Sequence, residues 1–171
     1  MESLWIPSKD CIDELLLLFN ESLSNKNEKH REIFEKINNY SKTKYFINYL
    51  LYILNCRDFN SDIRRISGLT LKGVLERSFN DLDEEEIEYF KQNVLNCYSD
   101  PNQQIRKTIS NLVNNFLKLG GIEIWPQILE LLYVNLDSEV ASEMSLEIIV
   151  ILIEDSGSFI QERCSEVKNK L

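Results

Sequence analysis

The chain has 171 residues, 43% of them hydrophobic and 27% charged, with a formal net charge of −9. That mixture holds too many apolar side chains for a disordered chain, and its excess of acid excludes phosphate-backbone binding to nucleic acid and attachment to an anionic membrane surface. Five Gly and three Pro are too few turn formers for a β-sandwich or barrel, so long helices are predicted.

In chain order, Ile12, Leu15, Leu16, Leu18 and Phe19 recur at helical spacing after Pro7-Ser8 and predict the first helix. A more polar helix from about Asn27 carries Ile33, Phe34 and Ile37, and a third from about Ser41 carries Phe46, Leu50 and Ile53. The fourth, from Ser61, holds Ile63, Ile66, Leu71, Val74 and Leu75. Asp81 to Glu86 opens a fifth, where Asp81 and Glu84 have capping-box spacing and the acids suit the positive end of the helix dipole. Asp100-Pro101-Asn102-Gln103 opens the sixth, with Asp100 as N-cap, and Gly120-Gly121 stops it. Trp125 to Leu136 predicts a seventh helix and Ser138 to Asp155 an eighth.

No catalytic set emerges. The four Cys, at 11, 56, 97 and 164, form no CxxC, and the lone His30 cannot complete a zinc site with them, so reduced thiols and no metal or cofactor are expected. Phosphate loops and nucleophile elbows are missing from the sequence, which argues against an enzyme. The first residues lack the basic start and apolar core of a signal peptide. The longest purely apolar run, Ile148 to Ile153, is far short of a membrane span. An intracellular protein that binds other proteins is expected, and its acidic surface suits a basic partner.

A displacement of 42 residues carries Asp58 and Ile63-Arg64 onto Asp100 and Ile105-Arg106, and Leu71, Val74 and Leu75 onto Val113, Phe116 and Leu117. A period of that size built from two helices is the HEAT or armadillo range. The predicted fold class is therefore all-α, an α-α superhelix of about four helix pairs over residues 8–39, 42–79, 82–119 and 122–156, with 157–171 starting a further, truncated repeat. In each pair helix A is outer and helix B inner. The HEAT signature assigns Asp58, Arg64, Asp100 and Arg106 to a structural ladder between adjacent repeats. The fourth repeat has Asp137 but Glu143 in place of the Arg. The last B helix exposes Leu146 and the Ile148 to Ile153 run with little after it to cover them, so self-association through that edge is expected.

Seven short strings stand in register: Trp5-Ile6-Pro7, Asn48-Tyr49-Leu50, Ser67-Gly68-Leu69-Thr70-Leu71-Lys72, Ile105-Arg106-Lys107-Thr108, Trp125-Pro126, Leu136-Asp137-Ser138-Glu139 and Glu154-Asp155-Ser156. In that order and at those distances they resemble the N-terminal end of nuclear import receptors of the importin-β family. The resemblance covers essentially the whole chain and implies a fragment of a longer superhelix. It implies binding of the small GTPase Ran in its GTP form on the concave face lined by B helices. It further implies cargo release coupled to that binding, and shuttling between cytoplasm and nucleus. Cargo bearing a nuclear localisation signal, and nucleoporins, would be held by C-terminal repeats missing here.

Within that frame the Ran-binding candidates are Lys72, Asn111, Asn114, Glu143, Glu147, Glu154 and Asp155, with Asn115 extending the polar face of the sixth helix. Lys72, Glu143 and the Glu154-Asp155 pair match residues of the family. Glu143 and Glu147 lie one helical turn apart on one face. Arg64 and Arg106 match the HEAT Arg and are assigned to the ladder. Trp125 is expected to be a packing anchor, and Gly68 to mark a close approach of two helices. The fold alone also fits a HEAT scaffold or regulatory subunit indifferent to Ran.

Overall fold

The computed structural model describes residues 5–23, 27–138 and 141–155. Among them eight α-helices follow in order: α1 Lys9–Leu23, α2 Asn27–Tyr40, α3 Phe46–Asn55, α4 Ser61–Ser78, α5 Glu84–Asn93, α6 Gln103–Gly120, α7 Ile128–Val134 and α8 Ala141–Asp155. Short 3-10 turns at Phe79–Asp81, Val94–Cys97, Ile122–Ile124 and Asn135–Asp137 join the later ones.

Local chemistry sets the helix ends, and it differs from the expectation in three places. α5 does use a capping box, but its members are Asp83 and Glu86 rather than Asp81 and Glu84. Asp81 is taken up by the 3-10 turn, so the helix begins two residues later. At α4 and α6 the caps are Asn60 and Asn102, whose side chains accept the N–H groups of Asp62 and Gln104. Asp58 and Asp100 are not caps. Pro101 keeps Asp100 extended and outside the helix, and the Asp100 carboxylate accepts the Asn102 N–H at 2.9 Å instead. α7 begins only at Ile128, because the 3-10 turn and Pro126 occupy the chain before it. The α6 stop is where the glycines put it: Gly121 takes φ 74° and returns its N–H to the Leu117 carbonyl.

Helix pairs stack into a HEAT-like superhelix. α3 packs on α4 and α7 on α8, while α4, α6 and α8 lie side by side as one inner layer. These three run parallel: Arg64, near the start of α4, meets Asp100 just ahead of α6, and Arg106 near the start of α6 meets Glu143 in the first turn of α8. α3 and α5 form the matching outer layer, also parallel, tied by the Tyr45 N–H to Glu86 and by the Asn55 side chain to the Asn93 carbonyl. α1 lies against α3 and α4, and α2 packs mainly on α1.

The core runs between the two layers. Its centre is Phe116, fully buried, stacked on Phe90 at 4.3 Å and edge-on to Phe79 at 5.2 Å and Trp125 at 6.3 Å. Trp125 is 3% exposed, the anchor expected of it. Gly68 is where α4 and α6 approach most closely: a Cβ there would lie 2.4 Å from Thr108 Cγ2 and 3.4 Å from Leu54 Cδ1.

A candidate partner-binding face across three parallel helices

α6 presents two edges and a ridge between them. One edge meets α4, where Thr108 packs over Gly68 and the Asn115 amide donates to Glu76 Oε1 at 3.1 Å. The same Glu76 oxygen lies 3.6 Å from Lys72 Nζ, one turn back on α4. The other edge meets α8, where Arg106 Nη2 stands 3.5 Å from Glu143 Oε2. Lys107, Asn111 and Lys118 are exposed on the ridge. Polar groups on the three helices are thus linked at both edges of α6, to Lys72 and Glu76 on α4 and to Glu143 on α8.

The α8 end of this face is acidic. α8 contains no Lys or Arg, and Glu143, Glu147 and Glu154 are exposed along it. Their spacing puts them on the side where Glu143 reaches Arg106. Leu146, Val150 and Ile153, each about half exposed, lie beside these acids, with Val150 one turn from both Leu146 and Glu154. The side chain of Asp155 lies outside the described residues, as do Cys164 and the side chain of His30.

The ladder residues do not form a uniform series. Arg64 Nη2 donates to Asp100 Oδ2 at 2.6 Å, with both side chains buried, and its Nε donates to the Leu54 carbonyl at 2.8 Å. Arg106 turns the other way and donates to the Asp100 and Pro101 carbonyls at 2.8 and 3.4 Å while facing Glu143. Asp58 is exposed and stands apart from the Arg64–Asp100 pair. The candidate Asn residues separate as well: Asn111 is exposed, whereas Asn114 is only 9% exposed and neither atom of its amide has a hydrogen-bond partner among the described residues.

Cys97 sits beside the ladder, 3.3 Å from Arg64 Nη2, and burial pushes its thiol up despite that guanidinium. A raised, buried thiol is a poor nucleophile, so the cluster is a packing device.

Sequence patterns did not reveal a second polar cluster at the rim, where the α2–α3 and α4–α5 turns face each other. Glu86, 7% exposed, accepts the N–H groups of Tyr45 at 2.9 Å and Asp83 at 3.3 Å. Burial nonetheless raises its carboxyl above the ordinary range, with the two N–H bonds pulling against it. Tyr45 holds φ 65°, the left-handed region, so that its N–H can reach Glu86. Lys44 is bound to Asp83 at 3.1 Å and lies over the Tyr45 ring. A half-open cleft of about 540 Å³ beside this cluster is lined by Lys42, Phe46, Val74, Arg77, Leu82 and Glu86. Only the capping-box acids advertised this region in the sequence; the left-handed Tyr45 had no signal.

Comparison with known proteins bears on the whole stack. The family model of the importin-beta N-terminal domain matches residues 34–100, from α2 through the pair of α3 and α4 to the Arg64–Asp100 rung. Transportin of Dictyostelium discoideum is 31% identical over 154 residues, 89% of this chain and 16% of that protein. Transportin-1 of Homo sapiens is 29% identical over 140 residues, 81% of this chain and 16% of the relative. Importin subunit beta-2 of Schizosaccharomyces pombe is 26% identical over 158 residues, 90% of this chain and 17% of the relative. The chain thus spans less than a fifth of the length of these relatives. The stacked helix pairs, the matched domain and these relatives agree: the chain belongs to the importin-β family and resembles the N-terminal, transportin-like part of it.

Proposed function

We propose that this chain is the Ran-binding end of a nuclear import receptor, and that its inner face, across α4, α6 and α8, takes Ran in the GTP form. What supports the reading most is the match to the importin-beta N-terminal domain over residues 34–100, joined to polar groups that link α6 to α8 through Arg106 and Glu143. Lys72, Asn111, Glu143, Glu147 and Glu154 line that face. The acidic end on α8 suits a basic patch of the partner, and such complementarity sets orientation and association rate. Ran's switch segments are ordered by the γ-phosphate, so a site that grips them distinguishes GTP from GDP.

On this reading the chain acts by binding rather than catalysis and needs no cofactor. Cargo and nucleoporins are engaged by parts of the longer receptor outside these residues, and the whole shuttles between cytoplasm and nucleus. Ran binding here and cargo binding elsewhere then weaken each other by the same factor. The test is retention of purified Ran on the immobilised chain. GTP-loaded Ran should be retained and GDP-loaded Ran washed through. Equal behaviour of the two forms would replace this reading with a scaffold indifferent to Ran.

A further inference from the structure

Ser110 and Asn114 lie one turn apart on α6, and so on one stripe of the helix. One turn before Ser110 is Arg106, which reaches Glu143 of α8, so Ser110 lies toward the edge of α6 that faces α8, with Asn114 between that edge and the ridge of Lys107 and Lys118. Ser110 is fully buried and Asn114 nine-tenths buried. Three polar atoms here, Ser110 Oγ and both Nδ2 and Oδ1 of Asn114, have no hydrogen-bond partner among the described residues. A helical serine ordinarily has the carbonyl four residues back within reach, yet Ser110 does not use it.

Leaving two acceptors and an amide donor dry in one small patch is costly, and native interiors avoid it by pairing or by ordered water. An amide and a hydroxyl are both neutral and themselves supply no anionic ligand for a metal ion. At 9% exposure Asn114 has no room for a partner's side chain unless α6 and α8 part. We infer that the α6–α8 seam is a hydrated joint, with ordered water held by Ser110 and the Asn114 amide, one and two turns along α6 from the Arg106–Glu143 bridge. Such water donates to Asn114 Oδ1, accepts from its Nδ2 and exchanges one bond with Ser110 Oγ, which meets the two to four partners an internal water requires.

Amide-to-water cross-relaxation by NMR tests this on the intact chain. The Asn114 side-chain protons should show a water cross-peak with the sign of a long-lived complex. It should be joined by density within hydrogen-bond distance of the amide in a high-resolution crystal structure. A peak with the sign of fleeting surface hydration, or an amide seen bonded directly to α8, would each overturn the inference.

Discussion

Arg64 and Asp100 meet at 2.6 Å with 6% and 0% of their side chains exposed, and through them the second helix pair is fastened to the third. Arg64 also caps the end of α3 through the Leu54 carbonyl, while the second carboxylate oxygen of Asp100 accepts the Asn102 N–H at the start of α6. The end of α3, the start of α4 and the start of α6 are thus tied by one ion pair. Removing one partner strands a buried charge, which costs about 3–5 kcal/mol, whereas replacing both by apolar residues is often close to neutral. Asp100→Asn should therefore lower unfolding free energy by about that amount in urea titration. Adding Arg64→Met should recover most of the loss. An Asp100→Asn variant as stable as the parent would show that the pair contributes nothing.

Gly68 is exchanged for helix propensity at a defined loss. In an exposed helix Ala in place of Gly stabilises by about 1 kcal/mol, but here the new Cβ would press on Thr108 Cγ2 at 2.4 Å. Overpacking of that kind costs about 1–3 kcal/mol, so Gly68→Ala should destabilise the chain. Thr108→Ser removes the obstructing methyl, and in that background Gly68→Ala should cost less or turn favourable. Thermal melts of the four variants read the coupling directly.

How much of this was legible beforehand follows from the kind of signal involved. Ile105, Ile109, Leu112, Val113, Phe116 and Leu117 recur at helical spacing and are all buried, so periodicity alone located the core-facing side of α6. The repeat displacement of 42 residues separates the starts of α4 and α6 as well. Helix ends were less legible, because Asp58 and Asp100 stand two residues from Asn60 and Asn102 and either residue type can cap. The site was legible only in part. Asn111 and Asn114 look alike in sequence, yet a few tens of degrees round the helix expose one and bury the other. The rim cluster of Tyr45 and Glu86 was hidden, since nothing local announces a tyrosine in the left-handed region.

Glu86 should give stability a pH dependence of unusual sign for a carboxylate. Its folded-state pKa is raised, first by burial and then by the nearby Asp83 charge, against the pull of its two backbone N–H bonds. Between the ordinary Glu range and that higher value the folded chain holds more protons than the unfolded one, so the contribution of Glu86 falls as pH rises and is complete only below the window. Asp83 moves the opposite way: desolvation opposes, but the Glu86 N–H and Lys44 outweigh it and lower its pKa. Comparing the parent with Glu86→Gln isolates the first effect, because Asp83 keeps its cap. The stability of Glu86→Gln relative to the parent should climb as pH rises through the window and level off above it. A difference independent of pH would mean that Glu86 titrates as an ordinary carboxyl.

The acidic face of α8 offers the sharpest test of partner binding. Glu143 and Glu147 are both exposed, but among the described residues only Glu143 faces a cation, Arg106, at 3.5 Å. Reversing Glu143 puts two positive charges together at the α6–α8 edge, whereas Glu147 can be reversed without breaking any such pair. Glu143→Lys with Glu147→Lys should weaken Ran-GTP binding by about tenfold or more, equivalent to roughly 1.4 kcal/mol, chiefly through slower association that is sensitive to salt. Glu147→Lys alone should carry much of the effect and leave the melting temperature unchanged, since an exposed charge contributes little to stability. Glu130→Lys, an exposed reversal on α7 of the outer layer, supplies the control for net charge. If that control weakens Ran-GTP as strongly as Glu147→Lys alone, which changes the net charge equally, the effect belongs to overall charge and these glutamates do not mark the contact surface.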